Sequence, residues 1–493
     1  MMRIKNAANG TLPPSVDLGP LNFILLLLAL ASMLSSNPVE SIFAIVQLKV
    51  LLQAYWRKNL PPVALLLFVI PFLEISTPII EANVRTITLN EMLHDAGREA
   101  YWLSAIGLYA VHLGFFLFFR KVEHSSIEKM KAFAQMLSLE RMILAYVVIG
   151  PITGFIGGFI SQLGSLYQFV TYLNQISSVI LIAICLRQSI LREVNRTFLI
   201  FIAIVTALSF YSFFSDWKLV AYAAFIAFGI TETLNRRMVI RILFLSVLLG
   251  NVLLLWQAIK PLYRAHLLGQ ETLQGGLQGQ GVRVGRTAAL SKFIELSEDY
   301  FTGTLEEIKQ LQTGEENALI FSTLRRIGYL EFFALTLNNV PERIPHEKGA
   351  LLSKNLSFAL IPRFLNSNKG VKDDGAKVTK YTGFLVSENS SFSLGHYCEH
   401  FIDFGYGMWL VLLGLGMAGG LLLLSIKKFS QAFIENPLFI PAIMFIVLEP
   451  WGSFQNDSIF LYGLTVFGLI THILLFRPLY KLSIRIATKT TAS

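Results

Sequence analysis

The chain has 493 residues, of which 54% are hydrophobic and only 15% charged, with a formal net charge of +9. Soluble domains carry about 25% charged residues, and the apolar residues here fall in long runs, which excludes a soluble single-domain enzyme and a disordered chain. The two cysteines, Cys185 in an apolar run and Cys398 in a polar stretch, exclude a disulfide scaffold.

A bilayer core takes about 20 apolar residues per helix. About twelve runs meet or approach that length: 19–36, 40–56, 62–80, 99–119, 142–160, 168–186, 197–214, 218–234, 239–258, 408–425, 438–449 and 458–476. The second carries Gln47, Lys49 and Gln53, and the eleventh is short and ends at Glu449-Pro450. Pro71 and Pro151 predict kinks in the third and fifth. The first run lacks a small-residue cleavage site and is expected to span rather than to act as a signal peptide. Every second connection is basic, from Arg3 and Lys5 through Arg57, Lys58, Arg120, Arg187, Arg236 and Lys427 to Arg477. The opposite ends hold little beyond Arg85, Arg98, Lys218, Lys260 and Arg264. Both termini are therefore expected in the cytoplasm. The expectation is an all-α polytopic membrane protein in which 1–258 carry spans one to nine, 259–407 form a large outer loop, and 408–493 hold spans ten to twelve and a tail. From Pro261 to Gly407 basic and acidic residues roughly balance, so the positive excess reflects topology and not nucleic-acid binding.

In the outer loop, Gly269 to Gly285 (GQETLQGGLQGQGVRVG) reads as a linker. A helix is predicted from about Thr287 to Gln312, with Leu290, Phe293, Ile294, Phe301 and Ile308 on one face. Leu319 to Leu337 reads as one amphipathic segment on the outer leaflet, interrupted by Arg325 and Arg326. Beyond Pro341 and Pro345 come a basic, glycine-containing loop (Asn366 to Gly375) and a second amphipathic run into span ten.

Three groups of residues could carry chemistry. Arg325 and Arg326 interrupt an apolar helix, where a guanidinium is paired, snorkelled or used. The planar fork of arginine suits pyrophosphate. Arg363, after Ile361-Pro362, and Lys369 could form a second phosphate clamp or a solvated loop. In the segment His396-Tyr397-Cys398-Glu399-His400, continuing to Asp403, the residues His396, Glu399, His400 and Asp403 share a helical face. They could accept a proton from an attacking hydroxyl or form a polar collar at the helix mouth. The same run fits the His-x-x-Glu-His zinc-protease pattern, but downstream carboxylates offer a poor third ligand. Of the ionisable residues within spans, Glu74, Glu232 and Glu449 lie near span ends, whereas Lys49 does not.

The run Arg326-Ile327-Gly328-Tyr329 through Val340-Pro341-Glu342, then Gly349, Leu360-Ile361-Pro362-Arg363 and Lys369, resembles the outer loop of Wzy-type polymerases of oligosaccharide repeat units. Ser391-Phe392-Ser393, Glu399 and Asp403-Phe404-Gly405 ahead of a glycine-rich span are similar to that family's closing pattern. The surroundings of Lys369 (Asn366-Ser367-Asn368 and Gly370) depart from it, since the family often has an aromatic residue with proline there. The resemblance implies a GT-C-type helical bundle in the bacterial inner membrane with its large loop in the periplasm. It implies an undecaprenyl-diphosphate-linked oligosaccharide as substrate, a chain-length regulator as partner, and no metal, cofactor or nucleic acid. On that footing Arg325, Arg326, Arg363, Lys369, His396 and Tyr397 are expected to bind substrate or diphosphate, and Glu399, His400 and Asp403 to serve catalysis. Arginine would stabilise the charge that develops on the departing diphosphate. An O-antigen ligase shares fold, side and donor. A lipid-linked sugar flippase is the other alternative, although the sequence shows no repeated halves.

Overall fold

The computed structural model describes residues 12–122, 124–161, 175–210, 217–267, 286–313, 317–361, 372–385, 393–472 and 476–489. Among them every regular element is a helix, joined by only three isolated β-bridges. In chain order these are α1 (Gly19–Ser32), α2 (Pro38–Tyr55), α3 (Val63–Val84), α4 (Leu89–Met92), α5 (Gly97–Phe119), α6 (Ile127–Met136), α7 (Leu139–Ser161), α8 (Gln175–Leu191), α9 (Arg196–Phe210), α10 (Trp217–Phe228) and α11 (Arg236–Leu267). The predicted outer loop contributes α12 (Arg286–Phe301), α13 (Thr304–Thr313), α14 (Ala318–Ile327), α15 (Glu331–Leu337), α16 (Ala350–Leu360), α17 (Asp374–Thr382) and α18 (His396–Phe404). The chain closes with α19 (Met408–Phe433), α20 (Ile440–Leu448), α21 (Ser458–Ile470) and α22 (Arg477–Ala487).

Among the described residues, four helical stretches are long and apolar enough to cross a membrane: Val63–Val84, Gly97–Phe119, Arg236–Arg264 and His396–Ala432. Six shorter apolar helices accompany them. Leu26, Leu28 and Leu30 on α1 and Leu243, Phe244 and Val247 on α11 point their side chains outward. Helices of this kind satisfy their own backbone groups and can present apolar side chains to lipid. The predicted sixth span begins in residues outside the described set, and its helix, α8, runs on to Leu191. Span nine is longer than expected, since α11 continues past residue 258 to Leu267. At the second span, Gln47 is buried and donates to the Ala105 carbonyl at 2.8 Å, whereas Lys49 is exposed.

Two backbone approaches fix the centre. A Cβ on Gly114 would lie 2.2 Å from the Leu413 carbonyl, and one on Gly416 would lie 2.1 Å from that of Val111. Helices α5 and α19 therefore pack backbone to backbone, as small residues allow within membranes. In α3, Pro78 has no N–H, which leaves the Glu74 carbonyl without its helical donor. Tyr329, just after α14, supplies that donor at 2.9 Å. Gly328 makes the approach feasible, because a Cβ there would meet Pro78 at 2.8 Å.

This docking breaks the predicted 319–337 segment into two helices, α14 and α15, separated at Gly328–Leu330. The predicted 287–312 helix is also divided, at Gly303, which has φ +86°. Of its expected apolar face, Phe293 packs on α11, with its ring centroid 5.9 Å from that of Tyr263. Leu290, Ile294 and Phe301 are exposed, while Ala289 and Leu296 are buried with Trp256, Ile259 and Tyr263 of α11. The reason is that α11 extends beyond the expected span and supplies the packing surface.

Gly395 starts α18 at φ +78° and ψ 147°, with its Cα hydrogen toward the Phe454 carbonyl, which a Cβ would meet at 2.5 Å. Glycine alone occupies that backbone region without strain of roughly 1–3 kcal/mol. Gly395→Ala is expected to lower the melting temperature of the purified protein clearly, whereas Gly414→Ala, with open space around it, should leave it nearly unchanged.

Candidate functional site

The first charge cluster is buried where α16, α17, α18 and α21 meet. Glu399, 1% exposed, accepts from Lys377 Nζ at 2.5 Å, from the Ser458 backbone N–H at 2.8 Å and from Asn355 Nδ2 at 3.2 Å. Lys372 Nζ bridges Asp457 at 2.5 Å and Asp374 at 2.7 Å. Asp457 also caps α21 by accepting from the Phe460 N–H at 2.7 Å. Buried carboxylates persist when paired and hydrogen-bonded in this way. Burial pushes the Asp457 carboxyl up, but Lys372 and Lys377 beside it outweigh that and hold it below the ordinary aspartate value. Burial pushes Lys377 down, yet Glu399 and Asp457 together raise it.

A sign follows for stability. A carboxyl with a depressed folded value stabilises the fold above its unfolded value and loses that contribution as pH falls. Thermal stability of the detergent-solubilised protein should therefore drop below about pH 4. Asp457→Asn should be less stable at pH 7 and show a shallower loss toward acid.

The sequence-predicted residues of α18 sit in this setting with separate partners. The helix is buried on all sides from His396 to Asp403, between α15, α16 and α21, and does not form an open mouth. Asp403 accepts from three backbone N–H groups, Gly349 and Leu351 at 3.0 Å and Leu352 at 2.7 Å, and so caps α16. That geometry leaves Asp403 a structural role, because its lone pairs are taken by orphan helix donors. His396 lies 3.0 Å from the Asn456 carbonyl through Nδ1, and Tyr397 packs on Phe454 with ring centroids 4.7 Å apart. His396 and Tyr397 line a small apolar cavity with Phe68, Pro71 and Trp451. His400 is 1% exposed, and its Nε2 has no hydrogen-bond partner among the described residues. Glu399 is committed to Lys377, and among the described residues no group of three His, Cys, Asp or Glu side chains is placed to hold a metal ion. The zinc-protease pattern does not assemble. Cys185 and Cys398 are both buried and unbridged.

The second cluster gathers around α14. Its two arginines, adjacent in sequence, diverge by about 100° around the helix. Arg325 turns to α3, donating to Glu81 at 3.0 Å, while Arg85 also reaches Glu81 at 2.9 Å and stacks on Phe321 at 3.8 Å. Arg326 is exposed and two helical turns beyond Leu319, which packs on α11. It therefore faces the end of α11, where Lys260 and Arg264 lie one turn apart. These three and Lys218 at the start of α10 are within electrostatic reach of one another. Four cations thus gather in one region, and neither Arg326, Lys218 nor Lys260 makes an ion pair among the described residues. Such a cluster concentrates positive potential and favours a multiply charged anion. Arg363 and Lys369 lie outside the described residues.

In the sequence Lys218, Lys260 and Arg264 read only as stray outer-end charges, Lys372 falls in the basic loop of Asn366 to Gly375, Asp457 reads as a carboxylate beside a tight turn and a poor third metal ligand, and Lys377 is not singled out. A signal for Lys218, Lys260 and Arg264 was present, since with Arg85 and Arg98 they are the basic residues that run against the alternation of the connecting loops.

Compared with protein-family models, curated proteins and solved structures, the chain matches none.

Proposed function

We propose that the chain is a polymerase of undecaprenyl-diphosphate-linked oligosaccharide repeat units. In this reading it has about twelve spans in a GT-C-like bundle, and it works at the periplasmic face of a bacterial inner membrane. The growing glycan passes from its lipid carrier to a new lipid-linked unit. The observation that carries the reading is the cluster of cations Arg326, Lys260, Arg264 and Lys218 among apolar helices. A diphosphate on an isoprenoid tail needs both features at once: clustered cations for the head and an apolar wall for the chain.

Breaking the anomeric C–O bond places negative charge on the diphosphate, and cations fixed beforehand at that position stabilise it. The diphosphate is already a good leaving group, so strong acid assistance is not required. The sugar passes through an oxocarbenium-like state. Arg363 and Lys369 complete the clamp in this proposal, and a separate chain-length regulator acts as partner.

The test is surface-polysaccharide profiling of a deletion strain. A polymerase leaves a single capped repeat unit in place of the ladder, and wild type restores the ladder. Long uncapped lipid-linked chains would indicate a ligase, and lipid-linked units trapped on the cytoplasmic side a flippase.

A further inference from the structure

We infer that Glu449 is the proton acceptor for the attacking sugar hydroxyl, an assignment that rests on the polymerase reading. Glu399, Asp403 and Asp457 have their oxygens taken by the partners given above. The Glu74 carboxylate accepts from Ser453 Oγ at 3.0 Å and from the Phe454 N–H. Glu449 differs from all of these. Its side chain is exposed, and it makes no hydrogen bond or ion pair among the described residues.

Its position follows from packing. Tyr222 of α10 meets Phe445 of α20, with ring centroids 5.5 Å apart. Lys218 is one turn before Tyr222 and Glu449 one turn after Phe445, so each lies one helical turn from this ring contact. Lys218 and Glu449 are electrostatic neighbours, and Lys218 is also a neighbour of Arg326 and Arg264. The turn that starts at Glu449 is held against α3 by the Glu74 bonds to Ser453 and Phe454, and the Glu74 carbonyl in turn holds Tyr329, three residues after Arg326. One residue of α3 thereby ties the carboxylate and the cation to a common frame. Preorganisation of this kind is what proton transfer in a transition state needs.

In the step, the hydroxyl oxygen of the acceptor unit bonds to the anomeric carbon as the bond from that carbon to the diphosphate oxygen breaks. The electron pair of the broken bond leaves with the diphosphate, among Arg326, Lys260, Arg264 and Lys218. The hydroxyl proton passes to a Glu449 oxygen and from there to solvent.

The experiment uses the full chain in lipid nanodiscs. Wild type, Glu449→Gln, Glu449→Asp and Glu399→Gln are assayed on lipid-linked repeat units extracted from the deletion strain. Farnesyl diphosphate binding is measured by calorimetry. Glu449→Gln should keep its melting temperature and bind farnesyl diphosphate within about threefold of wild type, while kcat falls about a hundredfold or more with little change in KM. Glu449→Asp should recover part of kcat. Turnover of Glu449→Gln within about threefold of wild type overturns the assignment, as does loss of farnesyl diphosphate binding in step with turnover. If wild type itself neither elongates the repeat units nor binds farnesyl diphosphate, the polymerase reading fails and the assignment falls with it.

Discussion

On the polymerase proposal, replacing Arg326 by alanine is expected to reduce polymer formation by about a hundred- to a thousandfold, the usual loss when one fixed donor to a developing oxyanion is removed. The protein should still insert and accumulate, because Arg326 is exposed and tied to no partner whose burial would be disturbed. Arg325→Ala provides the contrast. Arg325 spends its Nε on Glu81, and that carboxylate keeps Arg85 when Arg325 is gone. Its loss should therefore cost about tenfold or less. Arg326→Lys should recover only part of the activity, since an ammonium offers a point charge where a guanidinium offers a fork. The comparison is read on the lipopolysaccharide or exopolysaccharide ladder of the deletion strain, with protein level measured in the same membranes. Equal ladders from Arg325→Ala and Arg326→Ala would mean that the cation cluster at the end of α11 is not where the proposed diphosphate binds.

The largest effect on stability is expected at Lys377. Lys377→Met leaves Glu399, 1% exposed, without its counter-ion. Breaking one side of a buried pair costs about 3–5 kcal/mol, because the remaining charge stays desolvated. The double variant Lys377→Met with Glu399→Gln should be markedly less destabilised. Its amide oxygen can still accept the Ser458 N–H, now at 2.8 Å from Glu399, and no charge is left unpaired. A melting temperature for the double variant near that of wild type, with the single variant far below, identifies the pair as a structural clasp between α17 and α18. If the single variant melts like wild type and only turnover is lost, Lys377 and Glu399 belong to the chemistry instead.

The cluster around Glu399 also explains how an outer segment becomes part of the bundle. Lys372, Lys377 and Asn355 come from the predicted loop, whereas Asp457 and Ser458 open α21. Their ion pairs and hydrogen bonds hold α16 and α17 over the ends of apolar helices. Lys380 and Tyr381 do the same at the rim by donating to Glu347 at 2.6 and 2.7 Å, which holds that carboxyl below its ordinary value. Exposed pairs such as this one contribute little, so the buried clasp carries most of the docking energy.

The sequence by itself determined what depends on local composition. Runs of apolar residues dictate helices, and α3, α5, α11 and α19 lie where hydropathy placed them, because a helix in an apolar setting needs only its own backbone partners. The helical face shared by His396, Glu399, His400 and Asp403 is likewise a matter of spacing along one helix. Only the tertiary structure decided what those residues touch. Asp403 became a helix cap and Glu399 one half of a clasp, since their partners are 22 to 59 residues away in the chain. Arg325 and Arg326 are neighbours in sequence but face different helices, because a 100° step around α14 divides them between α3 and α11. Glu449 and Lys218 read in sequence as unrelated charges near span ends. They are neighbours because α10 and α20 meet at Tyr222 and Phe445, and such a contact is set by side-chain packing over long sequence separations, which no local pattern encodes.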